Sequence, residues 1–447
     1  MTLLRILKNK SSLYVAVFLC SAIFFLSALL PSPSSSSSKD GTTLADQQQD
    51  QRHVNSVNEY SRMKDESKRR LLYSALGHIR IGYVANRTPD VDTPPLLVMY
   101  SCKSTLMPCG GWGKRLLDIA HGYYFSMLVD GTAFTVDMSD PAPFQSYFEA
   151  VPGYMALQPS QAYYYIDQLD KKNENDKVRN MTMQTMTLDP ATNYVDHYKQ
   201  QPVRILQTTQ WPLDSISTTF QTSPSMKQLR DQYRLNEVTD ASQWFWLVNR
   251  LLFNPSDWLA SQLAPHRLLM GGSVSLGDSL SWMDPRNQID ATVAASWFRI
   301  GLRLPDNDDN DEIKCWMDHV ERLCALSSKQ CHLFVSAPTS RLLHHVKQYP
   351  ATTIHTIHAV ADSFAFTTIG HSPVDATKKP LFESEDQYLK SAFARPVMDW
   401  VILTRMDYLV GPQADDFIKT AAWAAQVQTD LLMDDTASCQ FKPMVDW

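Results

Sequence analysis

The sequence predicts an α/β protein with two doubly wound, parallel-sheet domains facing one cleft, set after an N-terminal membrane helix and a stalk. Three observations predict the globular part. Residues 96–138 read as strand, glycine turn, helix and strand. The chain from Ala291 onward alternates short apolar runs with amphipathic ones. At 447 residues, 44% of them hydrophobic and 20% charged, the chain is too long for one compact core. The net charge of -6 is spread without a long basic run. That excludes a nucleic-acid-binding surface and leaves small molecules or glycans as the expected partners.

Residues 1–12, MTLLRILKNKSS, carry Arg5, Lys8 and Lys10, and residues 13–30 follow without a charge, near the length that crosses a bilayer. Such a segment is a membrane helix or a signal peptide. Bulky Leu29 and Leu30 after Ser27-Ala28 spoil a small-x-small cleavage site, so the uncleaved anchor is favoured. The positive flank then stays cytosolic, which makes a single-pass type II topology with the rest lumenal. Residues 31–95 open with PSPSSSSSKD and show almost no apolar period before RRLLYSALGHIRIGYV. They are expected to be a flexible stalk whose last third forms a helix docking on the domain. The sequons at Asn86 and Asn180 agree with a lumenal location.

Cys20 falls in the membrane segment and leaves Cys102, Cys109, Cys315, Cys324, Cys331 and Cys439. In an oxidising compartment these are expected as structural disulfides, with Cys102–Cys109 one local pair and another bridge among Cys315, Cys324 and Cys331. Their spacing is not that of a zinc site.

The first domain, residues 96–290, starts with the apolar strand PPLLVMYSC. CGGWGKR turns the chain into a helix in which Leu116, Leu117, Ala120, Tyr124, Met127 and Leu128 recur every three to four residues. Asp130-Gly131 ends that helix and TAFTVDM returns as a parallel strand. The helix N-terminus thus faces the carboxyl edge of the sheet, where α/β proteins bind ligands. Between Ala142 and Asp290 helices are expected, and Trp244, Phe245, Trp246 and Trp258 are read as core rather than as a sugar-stacking platform. The second domain, residues 291–447, reads as the strand ATVAASWFRIGLR, the helix EIKCWMDHVERLCALSS and the strand CHLFVSAP. SRLLHHVKQYP is then a helix, ATTIHTI a strand, MDWVILTRMDY a helix, LVGP a strand and DDFIKTAAWAAQVQ a terminal helix.

Three stretches in this order resemble the fucosyltransferase superfamily, which includes α1,2-, α1,6- and protein O-fucosyltransferases. Gly111-Trp112-Gly113-Lys114-Arg115 stands where the family has Gly-x-Gly-Asn-(Arg or Gln). Trp297-Phe298-Arg299-Ile300-Gly301-Leu302 aligns with His-x-Arg-x-Gly-Asp, with Trp297 and Leu302 in place of the His and Asp. The stretch from Asp399 to Val410 resembles the late Asp-x-x-Leu-Leu-x-x-Cys-Asp-x-Leu-Val pattern, and Asp415-Asp416-Phe417 replaces Ser-x-Phe. Together they span roughly the last 350 residues.

The resemblance implies a GT-B arrangement of two Rossmann-like domains, Golgi residence, GDP-fucose as donor, a glycan or polysaccharide as acceptor, and transfer without metal or other cofactor. It also implies a donor site at Arg299 and Gly301, with Arg303 as the competing phosphate ligand, and with Asp407, Asp416 and Phe417 beside them. Gly111, Gly113 and Arg115 would form the opposite wall. A diphosphate leaving group needs fixed positive charge, which a guanidinium supplies bidentately. His121, Asp137 and Asp140 are the candidates for a general base. The run PDNDDNDE at 305–312 is read as a solvated loop rather than a manganese site. Asp415-Asp416 would cap a helix yet repel a diphosphate, which keeps a non-catalytic glycan-binding or transferase-binding relative, or a transferase of another sugar nucleotide, as alternatives.

Overall fold

The structure, a computed structural model, describes residues 70–77, 96–102, 109–128, 132–138, 142–149, 156–157, 160, 163–164, 181–182, 203–206, 222, 227–233, 235–238, 240–271, 292–305, 310–366, 385–433 and 439–444. The expected cytosolic tail, membrane anchor and most of the stalk, with Asn86, Asp140 and Asn180, lie outside the described residues. Among the described residues no helix is long and apolar enough to cross a membrane.

Helix α1 (70–77) buries Leu72, Ala75 and Leu76, and Tyr73 meets the ring of Trp246 edge-on at 5.1 Å. This end of the expected stalk is therefore part of the folded unit. The chain continues through β1 (Leu96–Cys102), α2 (Trp112–Leu128), β2 (Thr132–Met138), β3 (Phe148–Glu149), β4 (Ala156–Leu157), β5 (Met181–Thr182) and β6 (Val203–Leu206). It then forms α3 (Lys227–Tyr233), α4 (Ala241–Leu252), β7 (Asn254–Pro255) and α5 (Asp257–Leu263). Among the described residues these strands make a parallel sheet in the order β4-β2-β1-β6-β5, while β3 and β7 pair separately and antiparallel. β1 and β2 are covered on both faces, as their unbroken apolar composition requires: Val98, Met99, Tyr100, Phe134, Val136 and Met138 are all buried. The expected helical region between Ala142 and Asp290 thus also supplies strands β4, β5 and β6.

Asp240 caps α4 by accepting from the Gln243 N–H at 2.9 Å, and every residue of this helix except Arg250 is buried. Trp244, Phe245 and Trp246 are core, as expected, and Trp258 packs partly buried against the same apolar cluster.

The second sheet follows from β8 (Trp297–Arg303), α6 (Asn310–Leu326), β9 (Gln330–Ser336), α7 (Ser340–Gln348) and β10 (Ile354–His358). After these come α8 (Glu385–Ala392), α9 (Ala394–Leu403), β11 (Tyr408–Pro412), α10 (Asp416–Ala425), β12 (Thr429–Leu432) and β13 (Phe441–Pro443). The order is β10-β9-β8-β11-β12-β13, parallel except for β13. The helix DDFIKTAAWAAQVQ is not terminal. Two strands follow it, one four residues long and one carrying a proline, both too short to show a period.

The packing joins the two sheets through shared helices. Residues 65–447 form one compact unit. Helices α9 and α10, which belong in sequence to the second sheet, share a continuous apolar cluster with α2, α4 and the first sheet. A second, smaller cluster lies between the second sheet and helices α6 and α7. The joint is close at Gly113 on α2, where a Cβ would overlap the backbone of Asp416 and Phe417 on α10. Disulfides join Cys102 to Cys109, Cys324 to Cys331, and Cys315 to Cys439. The last of these ties α6 to the start of β13, a pairing that spacing did not indicate.

Candidate functional site

In the second sheet β9 and β11 flank β8, so the connections leaving β8 and arriving at β11 run to opposite sides and open a crevice at the carboxyl ends. A cavity of about 420 Å³ lies there. It is lined by Arg303 and Pro305 at the end of β8, Ala337 and Pro338 after β9, Pro412 and Ala414 at the end of β11, and the start of α10. Gly111 to Lys114, opening α2 from the first sheet, form the facing wall, and Arg395 and Asp399 of α9 complete the lining.

Arg303 ends β8 with its side chain directed into this cavity by strand alternation, since Leu302 and Leu304 on either side are fully buried. Its Nε donates to Asp415 Oδ2 at 3.2 Å, its Nη1 donates to Ser336 Oγ at 3.3 Å, and the guanidinium lies 4.8 Å from the Phe417 ring centroid. Ser336 in turn donates to Asp399 Oδ2 at 2.9 Å, which completes a relay from Arg303 to a carboxylate deep in the cleft. Burial raises the Asp399 pKa to about 7 against the opposing pull of Arg395, Ser336 and Arg303. Asp399 Oδ1 has no hydrogen-bond partner among the described residues.

One turn earlier on α9, Arg395 is 2% exposed. Its Nε donates to the Phe364 carbonyl at 3.2 Å, and its Nη2 donates to Val360 at 3.1 Å and Ala361 at 2.7 Å. Its guanidinium stacks 3.6 Å from the Phe366 ring centroid. Nη1 is left without a hydrogen-bond partner among the described residues. A buried donor and a buried acceptor thus stand unsatisfied in the lining of one cavity, a costly arrangement unless something else engages them.

Asp415 caps α10, its Oδ1 accepting from the Phe417 N–H at 2.7 Å. Across the cleft, Gly110 adopts φ +74°, which glycine tolerates, and turns the chain into α2. Lys114 lies on the lining and pairs with Asp118 at 3.2 Å. The Trp112 ring stacks on Phe148 with centroids 6.1 Å apart.

The structure brings Arg303, Gly111, Gly113, Asp416 and Phe417 together at the cleft and places the other expected residues elsewhere. Arg299 lies near the amino end of β8 and forms an ion pair with Asp407, which precedes β11, so neither lines the cavity. Arg299 and Arg303 lie two strand repeats apart on one face of β8, both pointing away from the fully buried Ile300 and Leu302, and only Arg303 reaches the carboxyl edge. Gly301 is buried against Leu403, Met406 and Leu409, where a Cβ would collide, so it serves packing. Gly113 serves the helix contact described above. Arg115 is fully buried, its Nε donating to the Gly110 carbonyl at 2.9 Å, and therefore neither faces the cleft nor lies on the helix surface.

His121 is buried in α2 outside the cavity lining, and burial, reinforced by Lys114, lowers its pKa to about 3. Asp137, at the carboxyl end of β2, accepts from the Tyr163 hydroxyl and is also outside the lining. Among the described residues no group of three or more histidine, cysteine, aspartate or glutamate side chains could hold a metal ion. Residues 306–309 of the acidic run lie outside the described residues. Sequence reading passed over Ser336 and Arg395 and used Asp399 only as the start of a pattern. The signal it had was two charges four residues apart, Arg395 and Asp399, on a helix otherwise apolar.

No protein-family model matches the sequence, and no curated protein matches it. Among solved structures, the fold is similar to a mutant of Arabidopsis thaliana FUT1 in complex with GDP, at 16% identity and TM-score 0.43, covering 82% of this chain and 78% of that one. It is similar to the α1,6-fucosyltransferase NodZ soaked with GDP-fucose, at 11% identity and TM-score 0.39, over 78% and 97% of the two chains. It is also similar to POFUT1 in complex with GDP, at 10% identity and TM-score 0.36, over 75% and 98%. At that identity and fit no residue role transfers.

Proposed function

We propose that the protein is a glycosyltransferase that takes a nucleoside diphosphate sugar, GDP-fucose first among them, and passes the sugar to a glycan or polysaccharide acceptor. The observation that carries this reading is the convergence of Arg303, Arg395 and the starts of α2 and α10 on one cavity at the crossover of a doubly wound sheet. As the bond from sugar to diphosphate breaks, negative charge grows on the leaving oxygens. A guanidinium fixed by Ser336 and Phe417 meets that charge without reorganising. The starts of α2 and α10 lie on the same lining, and a helix start favours an anion. Deeper in the cleft, Asp399 Oδ1 offers an acceptor and Arg395 Nη1 a donor to the hydrogen-bonding edge of a base such as guanine.

The reading places the chain in the Golgi membrane as a single-pass type II protein. It is supported by the charge-free segment 13–30 behind a basic tail and by three disulfides, which belong to an oxidising compartment.

The test is turnover of GDP-fucose by the purified protein over a broad acceptor panel, with other sugar nucleotides in parallel. Sugar transfer abolished by Arg303→Ala supports the reading, and no transfer from any donor contradicts it. One observation favours a second reading, a non-catalytic binder: the Asp415 carboxylate already occupies Arg303. GDP binding without turnover would favour that reading.

A further inference from the structure

We infer that Asp415 is a specificity-determining residue of the cleft, disfavouring a free nucleoside diphosphate relative to the same diphosphate esterified to a sugar. The inference rests on the nucleotide reading of the cavity. Asp415 lines it with both carboxylate oxygens committed, Oδ1 accepting from the Phe417 N–H at 2.7 Å and Oδ2 from Arg303 Nε at 3.2 Å. Its side chain is only 24% exposed, so its charge is poorly screened within the cavity. The carboxylate therefore holds the helix N–H and guanidinium edge that a terminal phosphate would seek, and repels what approaches them.

The two ligands differ at that point. A free terminal phosphate takes a second negative charge with a pKa near ~6, whereas a glycosylated one has no second proton to lose. Asp415 thus penalises the spent nucleotide by one more charge–charge repulsion than it does the donor. Arg303 keeps its contacts to Ser336 and Phe417 and still meets the donor. The consequence for a transferase is weak retention of its product.

The test is titration calorimetry on the full-length protein and on Asp415→Asn and Asp415→Ser, with GDP, GDP-fucose and inorganic pyrophosphate. Both substitutions keep an acceptor for the Phe417 N–H, and thermal midpoints identify a variant that fails to fold. The inference expects GDP and pyrophosphate to bind about tenfold tighter to each variant, and GDP-fucose about threefold or less. An equal gain for GDP and GDP-fucose, or a loss for GDP, overturns it while leaving the nucleotide reading intact. If none of the three proteins binds either nucleotide, the nucleotide reading falls. Pyrophosphate then decides for Asp415 alone: tighter binding to the variants upholds the repulsion, and unchanged or absent binding overturns it.

Discussion

Arg299 donates to Asp407 from Nε at 2.9 Å and from Nη2 at 2.5 Å, and its backbone N–H bonds the same carboxylate at 3.0 Å. Its remaining Nη1 donates to the Leu269 carbonyl at 3.0 Å. The pair joins β8 to the turn before β11 at the edge of the sheet opposite the cavity, so it is a strut. Arg299→Ala is expected to lower stability by about 1 kcal/mol, a modest loss because water screens the partly exposed Asp407. Nucleotide affinity should stay within about twofold. Arg303→Ala should do the reverse, with a small change in thermal midpoint and a large loss of affinity. Denaturant melts and nucleotide titrations of the two variants separate these outcomes, and equal effects on binding would refute the assignment.

Gly113 sets how closely the two sheets approach, because α2 rests there on the backbone of Asp416 and Phe417. Even one methyl group must push the helices apart. Gly113→Ala is expected to cost about 1–3 kcal/mol through overpacking and to weaken ligand binding as well, since both helix starts line the cleft. Gly111→Ala, whose backbone carbonyl still accepts from the Arg115 N–H at 3.1 Å, should cost less. Chemical denaturation of the two variants checks the order.

The pH dependence of donor binding should report Asp399. Burial raises its pKa to about 7, so what this group adds to stability is present at low pH and is lost as pH rises through the folded value. Ligand binding runs the other way if the ionised carboxylate accepts from the base. GDP-fucose affinity should rise by up to about tenfold from about pH 6 to pH 8. Asp399→Asn should flatten that profile, as seen by titration across the range. An unchanged profile would remove Asp399 from the site.

A second group of titrating residues acts on stability alone. The His332 ring stacks on Trp297 at 3.9 Å, and its Nδ1 is 3.0 Å from His358 Nε2, so one of the two rings donates to the other. Burial, then the neighbouring His358 and His355, lowers the His332 pKa to about 4, and burial also lowers those of His358 and His266. The unfolded chain therefore takes up protons that the folded one refuses. Stability is lost as pH falls below the ordinary histidine value of 6.5 toward about 4. The thermal midpoint should drop through that window, and His332→Gln should make the drop shallower. A steeper drop in the variant would contradict the assignment.

The unit from Leu96 to Met138 was legible because its strands are buried on both faces and its helix has a clear apolar period. So was the alternation after Trp297. The shared core was not legible: α9 and α10 are apolar on more than one side, and no local pattern says that one of those sides meets the first sheet. The cavity was legible as a place, at the carboxyl edge beside Gly111 and Gly113. Its occupants were not, because Arg299 and Arg303 lie on the same face of one strand and only the strand's end point tells them apart. Arg395 and Asp399 needed the packing of α9 before their charges read as cleft residues rather than surface ones.

The account turns on Arg303 meeting a nucleotide diphosphate, and titration calorimetry of GDP into the full-length protein and its Arg303→Ala variant tests this most directly. Saturable one-to-one binding that weakens at least about tenfold in the variant is the predicted result. Absence of binding to the parent protein, or binding that the substitution leaves unchanged, would contradict it.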